Sequence, residues 1–66
     1  MTARINGEAR TVSDGSTIAD LLESLGLPAK NVLVEYNGEP VTRDDFSHQA
    51  IREDDRIEII SMVAGG

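Results

Sequence analysis

The chain contains no cysteine. It therefore has no disulfide framework and no thiolate to act as nucleophile or metal ligand. It has no tryptophan, and Tyr36 and Phe46 are its only aromatic residues. With no basic stripe around them, these two read as packing residues rather than as platforms for stacked bases. Positive charge is also scarce. Lys and Arg total 6 against 12 Asp and Glu, for a net charge of −6. That balance argues against a nucleic-acid partner, which needs clustered Lys and Arg for its phosphates. It favours a protein partner with a basic surface. No apolar run is long enough to cross a membrane, and Met1-Thr2-Ala3-Arg4-Ile5 lacks the apolar stretch of a signal peptide. A cytoplasmic protein with no membrane partner is expected.

The groups that usually carry chemistry are equally thin. His48 is the only histidine, and it has no Ser, Cys or carboxylate cluster at catalytic spacing, so it reads as a surface residue. Asp44-Asp45 and Glu53-Asp54-Asp55 lack the glycine and oxygen-ligand spacing of an EF-hand and read as solvated loops. Gly7, Gly15, Gly26 and Gly38 stand singly at turns and build no phosphate-binding loop. The chain is expected to bear no catalytic residue, metal site or bound cofactor.

What is present is a patterned apolar content of 39% in 66 residues, enough for one small domain. Asn6-Gly7 is a type I′ turn signal and predicts a hairpin from Ala3 to Val12. Asp14-Gly15 turns the chain. Ser16 or Thr17 can cap a helix, and Thr17 with Asp20 resembles a capping box. Ile18, Leu21, Leu22 and Leu25 fall at i, i+3, i+4 and i+7, one apolar stripe over about ten residues. Gly26 suits the left-handed position after the last turn, and Pro28 stops the helix. Asn31 to Tyr36 reads as a strand closed by Asn37-Gly38, with Pro40 marking an edge or irregular segment. Thr42 to Phe46 reads as a short helical turn capped by Thr42. Asp54-Asp55 turns into a last strand from Arg56 to Met62.

One helix cannot cover both faces of a sheet, so the expected architecture is α+β, a mixed sheet with the helix across one face. Pairing the last strand beside the first gives the β-grasp, or ubiquitin-like, arrangement. Ile5, Ile18, Leu21, Leu22, Leu25, Val34, Ile57 and Ile59 are the expected core. With Ile57 and Ile59 inside, alternation sends Ile60 and Met62 outward, and Leu33 likewise beside an inward Val34. Leu33, Ile60 and Met62 then form an apolar patch suited to docking a partner.

The sequence stops at Gly65-Gly66. A terminal glycine offers a carboxylate with no Cβ beside it, and two in succession let a tail lie in a slot too narrow for side chains. The expected organisation is a β-grasp domain over residues 1–62 and a flexible, extended tail over 63–66, reaching at most about 13 Å.

Over its whole length the chain resembles the sulfur carrier proteins of thiamin biosynthesis, the ThiS family. The residues that carry the likeness are Asn6-Gly7, Thr17-Ile18-Ala19-Asp20-Leu21-Leu22, and Val34-Glu35-Tyr36-Asn37-Gly38-Glu39-Pro40-Val41. Asp55-Arg56-Ile57-Glu58-Ile59-Ile60, leading into Val63-Ala64-Gly65-Gly66, completes it. Tyr36 departs from the family pattern, where an aliphatic residue is more usual. The small subunit of molybdopterin synthase, MoaD, also ends in Gly-Gly, but it is longer and opens with a longer first strand. A ubiquitin-like modifier or interaction module is the further alternative. The resemblance implies a protein co-substrate rather than an enzyme. A ThiF-like adenylating enzyme would use ATP to activate the Gly66 carboxylate, and a persulfide protein would supply sulfur. The resulting thiocarboxylate would serve a ThiG-like thiazole synthase. Val63, Ala64 and Gly65 of the tail join Leu33, Ile60 and Met62 as the expected partner-binding residues.

Overall fold

A computed structural model describes residues 1–62. The chain begins with a hairpin of β1 (Thr2–Ile5) and β2 (Glu8–Thr11). Its turn needs two residues of positive φ, and Asn6 (52°) and Gly7 (84°) supply them. Helix α1 (Ile18–Ser24) follows. Thr17 accepts from the Asp20 N–H, and the Asp20 carboxylate accepts from the Thr17 N–H, so the capping box is complete. At the other end Gly26, at φ 71°, donates to Glu23 O while Leu27 N–H donates to Leu22 O at 2.9 Å. This pair of bonds is a Schellman termination and satisfies carbonyls that α1 leaves open. The helix has seven residues with Leu25 as its C-cap, and Gly26 takes the left-handed position expected of it.

A 3₁₀ turn (Ala29–Asn31) leads into β3 (Val32–Tyr36), and a second Asn-Gly turn leads into β4 (Glu39–Val41). Asn31, expected in the strand, belongs to the 3₁₀ turn. Another 3₁₀ turn (Arg43–Asp45) precedes β5 (Arg56–Ser61). Thr42 stands at the cap of that turn, but its hydroxyl meets the Asp45 carboxylate at 3.2 Å rather than a backbone N–H.

The five strands are ordered β2-β1-β5-β3-β4. β1 and β5 run parallel, and β5 is antiparallel to β3. This is the mixed sheet of a β-grasp fold. Pro40 lies on the edge strand opposite Glu35, where a missing N–H breaks no central ladder. One face of the sheet supplies Ala3, Ile5, Val32, Val34, Ile57 and Ile59 to the core. Ile18, Leu21 and Leu22 of α1 pack onto it, with Val12, Phe46 and Ile51 from the connections. The segment before β5 is tied to the helix start by Ile18 N–H to Gln49 O at 3.0 Å and Ile51 N–H to Ser16 O at 2.9 Å. Leu25 corrects the expected core. It is the C-cap residue and is only half-buried, because the helix has ended before that side chain can reach the middle of the sheet.

Candidate functional site

The sheet face away from the helix carries the candidate site. Leu33 and Ile60 are each 54% exposed and Met62 is 42% exposed; among the described residues these are the large apolar side chains open to solvent. The register places Leu33 directly opposite Ile60 on neighbouring strands. Met62 follows Ile60 by two residues, and its N–H donates to Asn31 O at 2.7 Å, so pairing with the β3 side continues past the end of β5. Alternation therefore sets all three on one outer face. The patch lies where β5 leads toward residues 63–66. Val63, Ala64, Gly65 and Gly66, the expected tail, lie outside the described residues.

Charge on the same face is arranged by the register. Glu35 stands opposite Glu58 beside the patch, and Arg4 stands opposite Arg56 further along the sheet. Like charges placed directly across a ladder oppose pairing, and neither glutamate belongs to an ion pair among the described residues. An apolar patch bordered by two unpaired carboxylates presents a surface complementary to apolar side chains flanked by Arg or Lys. The two glutamates were not among the residues the sequence singled out. Strand parity puts each on the outer face, but only the register sets one against the other.

The far end of β5 holds the most polar contacts. The Asp55 carboxylate accepts from the Tyr36 hydroxyl, the Asn37 amide at 3.1 Å and the Arg52 N–H at 2.7 Å. Burial pushes its pKa up, but these hydrogen bonds outweigh burial and hold it below the ordinary 3.8. Tyr36 shifts the other way. Burial, and then the hydrogen bond and charge of Asp55, raise it above 10.0. The pair fastens the turn into β5 and is a structural contact. On the helix side, a cleft of about 390 Å³ opens between Leu25 and Leu27 and the strands, bordered by Glu8 and Arg10.

His48 is exposed, as a lone surface histidine should be. Among the described residues no cluster of His, Cys, Asp or Glu could hold a metal ion. No helix there is long and apolar enough to cross a membrane.

The ThiS family model matches residues 3–66. The chain belongs to the ThiS family. It is 36% identical to the sulfur carrier protein ThiS of Bacillus subtilis, over 96% of this chain and 97% of that protein. It is also 37% identical, over 94% of its length, to a thiazole synthase of Paramagnetospirillum magneticum. There it spans only 19% of the relative, about a fifth of a much longer protein. Among solved structures it resembles the ThiS thiamine biosynthesis protein of Geobacter metallireducens, at a TM-score of 0.85, 30% identity and full coverage of both chains. The ThiS relationship and the β-grasp fold expected from the residues are thus both found.

Proposed function

We propose that this chain is the sulfur carrier of thiamin thiazole synthesis and that the Gly66 carboxylate is the group that carries the sulfur. The observation that supports it most is the match over nearly the whole chain to a sulfur carrier of nearly equal length. The described surface suits the role, because Leu33, Ile60 and Met62 offer an exposed apolar patch on the outer sheet face. In this reading residues 1–62 form the docking domain and residues 63–66 the delivery tail.

The chemistry follows from the ordinary properties of a carboxylate. With a pKa near ~3.5, a terminal carboxyl is ionised at neutral pH and needs no base to become a nucleophile. One of its oxygens attacks the α-phosphorus of ATP on a ThiF-like enzyme, and pyrophosphate leaves. The acyl-adenylate is now electrophilic where the carboxylate was not. The terminal sulfur of a persulfide attacks the acyl carbon, and AMP leaves. A thiol then cleaves the sulfur–sulfur bond of the acyl disulfide, and the thiocarboxylate remains on Gly66. The carrier contributes position, and its partners supply the catalytic groups. A thiazole synthase is the proposed acceptor. That a longer thiazole synthase contains a region similar to this whole chain supports such a pairing.

Incubation with the cognate adenylating enzyme, ATP and a persulfide donor should raise the intact mass by the difference between sulfur and oxygen, and fragmentation should place the gain on Gly66. A chain extended by one residue past Gly66 should not be converted, and Gly65→Val should be blocked at the enzyme. Conversion of the extended chain at the native rate would refute the narrow-slot account. Formation of an isopeptide conjugate instead of a thiocarboxylate would identify a modifier.

A further inference from the structure

The outer face of the sheet carries its side chains in a fixed order along β5. Arg56, Glu58 and Ile60 follow one another at every second residue, about 7 Å apart, with Met62 next beyond the strand. The neighbouring strands repeat the character of each position. β3 sets Leu33 opposite Ile60 and Glu35 opposite Glu58, and β1 sets Arg4 opposite Arg56. The face is thus banded: apolar toward the end of β5, acidic in the middle and basic at its start.

This order works against the free sheet. Like charges set directly across a ladder are destabilising, and opposite charges there are stabilising. Both charged pairs hold the unfavourable arrangement, although exchanging Arg56 with Glu58 within the one strand would give the favourable one at each. Among the described residues none of Arg4, Glu35, Arg56 and Glu58 belongs to an ion pair. The Arg4 guanidinium instead donates to the Gly7 carbonyl, at 3.4 Å. Edge strand β2 offers the contrast. Its Glu8 and Arg10 stand opposite Ile5 and Ala3, on the other face, and there they pair at 3.7 Å.

We propose that this banded face is a directional docking surface for the adenylating enzyme: it fits a partner surface on which an apolar contact is followed by Lys or Arg and then by Asp or Glu. The inference rests on the sulfur-carrier reading above and adds what the partner must present. Charge complementarity decides the occupant. A second copy of this chain, laid with its apolar band on this one, either sets acid on acid and base on base or leaves both charged bands uncovered. A partner turned end for end meets like charges, so the bands select one orientation as well as one partner.

The test measures Tm, and binding of the full chain to the cognate adenylating enzyme, at about 50 mM and about 500 mM salt. The double variant Arg56→Glu with Glu58→Arg keeps composition and net charge and turns both like pairs into opposite ones. At low salt its Tm should rise by about 4–8 °C. Its affinity should fall by about tenfold or more, chiefly through a slower association rate, and the loss should shrink at high salt. Glu35→Gln relieves only one pair; it should raise Tm slightly and weaken binding about two- to fivefold. Glu8→Arg with Arg10→Glu exchanges the same charges off the outer face and should bind like the native chain. The proposal is overturned if the β5 exchange binds like the native chain, if the β2 exchange weakens binding equally, or if the β5 exchange lowers Tm. A native chain that the enzyme binds but does not modify at Gly66 overturns the carrier reading and leaves the docking result standing. A native chain that the enzyme does not bind overturns both.

Discussion

Replacing Leu33 and Ile60 together by alanine separates docking from folding. Burying a Leu or Ile side chain completely is worth about 1.5–3 kcal/mol. Each of these is already close to half-covered by its neighbours, at 54% exposed. About half of that value is left for a partner to collect, roughly 0.8–1.6 kcal/mol per residue. The pair together contributes about 2–3 kcal/mol, which corresponds to roughly 30- to 150-fold in affinity. The free protein loses much less. What disappears there is one cross-strand pair, worth about 0.2–1 kcal/mol, and no core cavity forms because both side chains lie on the outer face. Calorimetric titration against the cognate adenylating enzyme should therefore show a large loss of affinity, while the thermal melt moves by a few degrees at most. Ile60→Asp should weaken binding further, since it sets a charge in the middle of the apolar contact, where its burial is costly. Native affinity in the double variant, with an unchanged melt, would return these residues to ordinary surface.

Two further outcomes follow from the interior and from the turn into β5. Leu22 is 2% exposed at the centre of the helix–sheet contact, so Leu22→Ala should cost about 2–4 kcal/mol in urea unfolding. That is a large share of the stability of so small a domain, and a loss under 1 kcal/mol would mean that the helix does not pack there. The Asp55 carboxyl titrates below 3.8 in the folded chain. Its contribution to stability is therefore complete above that pH and lost as pH falls through the depressed value. Tyr36→Phe removes one of the hydrogen bonds responsible, and its melting temperature should fall less steeply than that of the native chain on acidification past 3.8. Parallel curves would show that the tyrosine does not hold the carboxylate ionised.

Local chemistry made most of the elements legible. Asn6-Gly7 and Asn37-Gly38 carry the positive φ values their turns demand, and Thr17 with Asp20 closes the capping box. Period-2 alternation was enough to send Leu33, Ile60 and Met62 outward, because a buried Ile59 leaves Ile60 no other face. Boundaries were less legible. Leu25 continued the apolar stripe in sequence, yet it is the C-cap residue at the helix end and is only partly buried.

The Gly65-Gly66 ending belongs to the sequence alone, and with it the identity of the group proposed to react. Tertiary structure decided which residues meet. Glu35 faces Glu58, and Asn6 grips Ile59, because parallel pairing of β1 with β5 and antiparallel pairing of β5 with β3 set one register among several that alternation allows. Alternation repeats every two residues and fixes a face but not a partner. The choice among registers is made by contacts between distant segments, through the fit of Ile5, Ile57, Ile59 and Val34 beneath one short helix.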